Sequence, residues 1–154
     1  MTIYNGGTTA RYALAAWDTS GNLTNTGTGS FQGVYVGKGG SSVQYNTAVG
    51  VSALSVNTGT DNTAVGWRSL YSNTSGSENS AFGLNALWTN TIGTDNTGLG
   101  TSALGSNTTG SYNTAVGRLA SYVNSTGSNN TSVGYAALQN TTASNNTAVG
   151  YQAL

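Results

Sequence analysis

Three of the four carboxylates in this chain, Asp61, Glu78 and Asp95, lie seventeen residues apart, each closing one copy of a recurring block. If the blocks stack, the three fall into one column, and clustered oxygens are what a hard cation such as calcium takes as ligands. Two carboxylates facing each other could also serve as the acid and base of a glycan hydrolase. The surrounding sequence favours neither chemistry. The glycine-and-aspartate nonapeptide of calcium-binding rolls is absent, and nothing marks the three as a buried pair with separated pKa values. The plainer reading is a set of exposed turn carboxylates. His and Cys are missing altogether, which removes the commonest general base, thiol nucleophiles and most zinc sites. No catalytic residue and no cofactor is expected, and Asp61, Glu78 and Asp95 are the weak candidates for a metal.

Aromatic side chains offer a second chemistry. Trp67, Tyr71, Trp88, Tyr122 and Tyr135 recur at two fixed places in the block. Facing outward they would form a ridge able to stack on sugar rings, and the stronger reading is packing along seams between copies of the chain. GVYVGKGG resembles a phosphate loop but lacks the four-residue spacing before Gly-Lys and the Ser or Thr after it. Several Asn-x-Ser/Thr sequons follow from the composition of the repeat and are not evidence of glycosylation.

Bulk composition narrows the field further. Charged residues make up 5% of 154 residues, against roughly 25% in ordinary soluble domains. Net charge is zero, and Arg11, Lys38, Arg68 and Arg118 are scattered, so the electrostatic term that drives nucleic-acid binding is missing. No run of about 20 apolar residues could span a membrane. The first residues lack the basic and apolar regions of a secretory signal.

The element that must position everything is the block itself. Its copies run NTAVGVSALSVNTGTD (46–61), NTAVGWRSLYSNTSGSE (62–78), NSAFGLNALWTNTIGTD (79–95), NTGLGTSALGSNTTGSY (96–112), NTAVGRLASYVNSTGSN (113–129) and NTSVGYAALQNTTASN (130–145), with NTAVGYQAL at the end. A short fixed period is the signature of a solenoid whose blocks stack as coils. Counting from the leading Asn, position 4 is always apolar and position 5 always Gly. Position 8 is small, and position 9 is Leu except at Ser121. This pattern predicts two short strands per coil, over positions 2–4 and about 8–11, with Gly and Asn at corners that need positive φ. A helix is excluded, because two glycines per block would each cost about 1 kcal/mol in its interior. Equivalent residues of stacked coils would lie about 4.8 Å apart, forming Asn, Thr and Val ladders of cross-β type.

Alternation along the strand separates positions 2 and 4 from position 3, yet positions 3 and 4 are both apolar, as are 8 and 9. One apolar face, Val at 4 with Ala at 8, is expected inside the coil. The other, Ala at 3 with Leu at 9, is expected to meet identical chains, which puts Ala48, Leu54, Ala64, Leu70, Ala81, Leu87, Leu104, Ala115 and Leu138 at the subunit interface. Residues 33–45 look like a degenerate capping coil, with Val34, Val36 and Gly37 matching positions 2, 4 and 5. Residues 1–32 carry no copy and are expected to be an attachment segment, with YALAAWDTSGNLT as two strand-like pieces around a turn and NTGTGSFQG as a loop. Residues 46–154 form the shaft, which breaks off in mid-coil at Leu154, so a continuing chain or a partner is expected to cover that end.

The NTAVGVSAL, NTAVGWRSL and NTAVGYQAL blocks, with their NTSG and NTTG connectors, closely resemble repeats of bacteriophage tail-fibre and related virion proteins. They are also similar, more distantly, to the heads of trimeric autotransporter adhesins. The resemblance covers about residues 33–154. It implies an all-β parallel β-roll assembled as an elongated homotrimer. The implied role is structural, a virion fibre segment, not an enzyme, joined to other tail proteins through its N-terminal segment and able to reach host-surface glycans. The self-cleaving chaperone domain that often follows such repeats has no match here. Nor do the signal and membrane anchor expected of a bacterial surface adhesin, which favours the phage reading. An ice-binding solenoid is a further alternative. It would need an outward Thr row, whereas Thr at position 2 shares the face of Val at position 4, expected to be buried.

Overall fold

The computed structural model describes residues 45–154, together with the backbone of four short strands before them, β1 (Ala16–Trp17), β2 (Leu23–Thr24), β3 (Gly29–Phe31) and β4 (Val34–Gly37). Seven three-residue strands follow, one at the start of each block. They are β5 (Thr47–Val49), β6 (Thr63–Val65), β7 (Ser80–Phe82), β8 (Thr97–Leu99), β9 (Thr114–Val116), β10 (Thr131–Val133) and β11 (Thr147–Val149). These seven pair in parallel and in sequence order. The chain is thus an all-β solenoid of about six turns, with no helix among the described residues.

Register is strict. Thr63 lies beside Thr47 and Ser80, Ala64 beside Ala48 and Ala81, Val65 beside Val49 and Phe82. Within each step the strand amides reach the neighbouring coil: Thr63 N–H donates to the Asn79 carbonyl and Gly66 N–H to the Val49 carbonyl, both at 2.8 Å. The expected second strand over positions 8–11 is absent. That stretch is a chain of turns in which alternate residues take positive φ, such as Asn85 at 56° and Leu87 at 51°. Its amides still join neighbouring coils, as when Leu87 N–H donates to the Ala103 carbonyl at 3.0 Å. Three non-glycine residues per regular coil sit in this left-handed region, where each costs roughly 1–2 kcal/mol.

The two apolar faces are the reverse of the sequence expectation. Ala48, Leu54, Ala64, Leu70, Ala81, Leu87, Leu104, Ala115 and Leu138, expected between subunits, are each at most 5% exposed and fill the interior of a single chain. Val at position 4, expected inside, faces out, and its row includes Phe82 and Leu99 at 39% and 47% exposure. Ala at position 8 is buried as expected. Space explains the choice. A Cβ at Gly98, a position-3 site, would lie 3.2 Å from the Ala103 carbonyl oxygen and 3.4 Å from Leu87 Cγ. The strand therefore packs so close to the opposite wall that one methyl fits and a valine does not.

Asparagine completes the interior. Two ladders of Asn, at positions 1 and 12, are buried and run along the stack through their side-chain amides. Asn90 Nδ2 donates to Asn73 Oδ1 at 2.7 Å and to the Gly93 carbonyl at 2.9 Å. Asn79 Nδ2 donates to that same carbonyl at 2.9 Å. These amides find partners in an interior where an unmet polar group would cost on the order of 1–3 kcal/mol, except at Asn107 and Asn124, whose Oδ1 atoms have none. The Asn ladders were expected; these asparagines hold them with their side chains, and the positive φ values expected of the block's Asn fall chiefly on other residues.

At the N-terminal side β1 and β2 pair antiparallel, Trp17 opposite Leu23, as the two strand-like pieces around a turn require. β3 falls inside the segment expected as a loop. It pairs antiparallel with β4, which in turn pairs antiparallel with β5. Val36 does meet Val49, but Gly37 meets Ala48, so β4 covers the sheet edge as a reversed strand and not as a shortened coil. The rest of the attachment segment and of residues 33–45 up to residue 44 lies outside the described residues.

Candidate interaction surface

The outward side of the parallel sheet carries two rows. Position 2 contributes Thr47, Thr63, Ser80, Thr97, Thr114, Thr131 and Thr147, and position 4 contributes Val49, Val65, Phe82, Leu99, Val116, Val133 and Val149. Both rows point away from the buried position-3 column because successive strand side chains alternate. All are half-buried or exposed in the single chain. One residue beyond the glycine that ends each strand, Val51, Trp67, Leu84, Tyr135 and Tyr151 are also exposed. None of the fourteen strand residues is charged. Seven rungs of aligned hydroxyl and apolar side chains thus leave an uncharged, partly apolar face uncovered after the chain has closed its own core, the kind of surface that marks an interaction site.

Glycine at position 5 lets the rungs approach. Gly83 takes φ of 134°, and a Cβ there would stand 2.6 Å from the Gly100 carbonyl oxygen. The column of glycine therefore sets the spacing of the outward rows on both sides of it.

The aromatic side chains do not form one ridge. Trp67 and Tyr71 are drawn together by Arg68, whose guanidinium carbon lies 4.3 Å from the Trp67 ring centre and 5.5 Å from that of Tyr71. Such stacking is worth about 0.5–1 kcal/mol at exposed sites, and it occupies a ring face that a sugar would use. Tyr135 stacks on Tyr151 with centroids 5.2 Å apart and planes 12° apart, and Arg118 lies 5.7 Å from the Tyr135 ring centre. Trp88 is half-buried, with its indole N–H buried and without a partner. Tyr122 lies against Gly105, at which a Cβ would meet the ring at 2.9 Å.

Asp61, Glu78 and Asp95 do occupy equivalent corner positions, all with positive φ between 55° and 59°. Their backbones continue the ladder, with Glu78 N–H donating to the Thr60 carbonyl and Asp95 N–H to that of Ser77, both at 3.1 Å. No group of three or more metal-type side chains close enough to hold an ion occurs among the described residues. The feature that sequence reasoning missed is the outward Val, Phe and Leu row. Its signal is the alternation of positions 2 to 4, which has two phases, and the structure takes the one opposite to that expected. Compared with family models, curated proteins and solved structures, the chain matches none.

Proposed function

We propose that this chain is a rod segment of a virion fibre of the phage tail-fibre type, built from three identical chains that cover one another's outward sheet faces. One observation carries the reading: the uncharged Thr and Val, Phe, Leu rows over seven rungs, half-buried or exposed on a chain whose interior is already full. A charge-free face with one hydroxyl and one apolar side chain at every rung suits a copy of itself, because parallel copies in register present matching rows. The number three rests on the resemblance of the NTAVG blocks to trimeric fibres and adhesin heads. In this role the protein catalyses nothing. Stacked coils give stiffness, residues 1–32 attach to other tail proteins, and exposed rows contact host-surface glycans many times weakly. The same rod on a bacterial surface adhesin is the near alternative.

Native mass measurement of the full chain tests the reading. A mass of three chains is expected, falling to one when Leu99→Glu places a charge in the seam. A single-chain mass for the unaltered protein overturns it.

One observation favours a second reading. The Thr row faces outward on a regular parallel sheet, which removes the objection to an ice-binding solenoid, since its Val neighbours are not buried either. That role needs the face free in solution. A monomer showing thermal hysteresis would select it over the fibre.

A further inference from the structure

The position-12 asparagine ladder loses two successive links, from Asn124 to Asn107 and from the next coil to Asn124, independently of how the outer face is used. In the regular coils Asn107 Nδ2 donates to Asn90 Oδ1 at 2.7 Å and to the Gly110 carbonyl at 2.9 Å. Asn124 donates only to the Gly127 carbonyl, at 2.9 Å. Asn107 Oδ1 and Asn124 Oδ1 are left buried without a hydrogen-bond partner, and both residues are fully buried.

The cause of the second loss is legible in the chain. The coil 130–145 has sixteen residues where the four before it have seventeen, and its Asn140 comes one position early and is exposed. At Gly76, in a regular coil, a Cβ would meet Asn73 Oδ1 and, at 2.8 Å, Asn90 Nδ2. At Gly127 the corresponding neighbours are Asn124 Oδ1, the Ala143 carbonyl and, at 2.7 Å, the Thr142 carbonyl. An oxygen stands where the repeat elsewhere supplies a nitrogen. Of these three acceptors only the Ala143 carbonyl receives a donor, from Asn130 Nδ2 at 2.9 Å.

We infer that a water molecule is bound at this step, donating to Asn124 Oδ1 and to the Thr142 carbonyl in place of the missing amide. A guest here must bring either donors or positive charge. The acceptors are all neutral and no acidic cluster accompanies them, so a cation would lose its hydration shell without a counter-charge, whereas water supplies two donors. Thr142 and Ala143 are exposed, so solvent reaches the corner. The same step has also lost its leucine. Ser121 replaces it and bonds Ser132 Oγ at 2.9 Å. With an exchangeable water for an amide and a hydroxyl pair for an aliphatic contact, the junction between coils 113–129 and 130–145 opens before the junctions preceding it.

Hydrogen exchange on the full chain reads this directly. Thr89 N–H bonds the Gly105 carbonyl and Val123 N–H bonds the Gln139 carbonyl, equivalent links across a junction whose asparagine bond is intact and one where it is missing. Val123 is expected to exchange at least about tenfold faster than Thr89. Inserting one serine between Gln139 and Asn140 restores the seventeen-residue coil and should bring the two rates together. Equal rates in the unaltered chain overturn the inference. So does a fast Val123 that the insertion leaves fast, since that is fraying from the end alone. Should the inserted chain not fold, a high-resolution crystal structure of the unaltered chain decides: ordered water within hydrogen-bond distance of Asn124 Oδ1 is expected, and an empty site or a metal ion there overturns it.

Discussion

Along β7 the side chains alternate as a strand requires: Ser80 half-buried on the outer face, Ala81 buried, Phe82 exposed. A few residues later in the same coil, Ala86 and Leu87 are neighbours and both are fully buried. The difference lies in the backbone. Asn85 and Leu87 have positive φ and Ala86 does not, so the chain changes hand at each residue and the rule of opposite faces lapses. The strand side of the coil sorts residues by parity, and the corner side sorts them by handedness. Adjacent apolar residues mean two faces on the first side and one face on the second.

The largest effect should come from breaking the strand side where it turns into the corner. Gly83→Ala adds a Cβ 2.6 Å from the Gly100 carbonyl oxygen at a φ of 134°. Neither can relax without separating two rungs, because the contact is backbone against backbone. The expected loss is at least ~3 kcal/mol, seen as a lower denaturant midpoint. A loss below about 1 kcal/mol would mean that the rungs are not held at this spacing.

A paired substitution sharpens the contrast between the faces. Leu87 is inside and Leu99 outside, though both are leucines one rung apart. Leu87→Ala should cost about 3 kcal/mol through the cavity it leaves. Leu99→Ala should leave the stability of a single chain within about 1 kcal/mol and act on chain association, read as the concentration at which the oligomer dissociates. Equal effects on single-chain unfolding would abolish the distinction between interior and surface.

The repeat made the coil count, the parallel register, the glycine corners and the Asn ladders readable, because each follows from residues that recur at fixed positions. Which apolar row is inside was not readable from Val against Ala. Hydrophobicity favours burying Val49 and Val65, and only the short distance from strand to opposite wall, visible at Gly98, favours Ala. The corner reads as a strand in the sequence because Ser, Arg, Asn and Leu occupy its left-handed positions, for example Ser52, Arg68, Asn85 and Leu87. None of these residue types announces positive φ consistently. The uncharged outer face was legible as composition, whereas its location depended on the first of these choices.

The smallest effect tests the handedness rule itself. Ser102 sits in the corner at φ 56°, half-buried. Its N–H donates to the Leu84 carbonyl at 2.9 Å. Glycine at this place would relieve a left-handed strain of roughly 1–2 kcal/mol. It would also add about 0.5–1 kcal/mol of unfolded-chain entropy to be lost on folding. The two oppose, and relief is the larger, so Ser102→Gly should stabilise by about 0.5 kcal/mol. Ser102→Val should destabilise by about 1 kcal/mol, since a β-branched side chain is the least tolerant of positive φ. The sign of the difference between the two variants, measured by thermal unfolding, is the informative quantity. A valine at least as stable as the glycine would show that the corner is extended after all, and Ala86 and Leu87 would then have to face opposite ways.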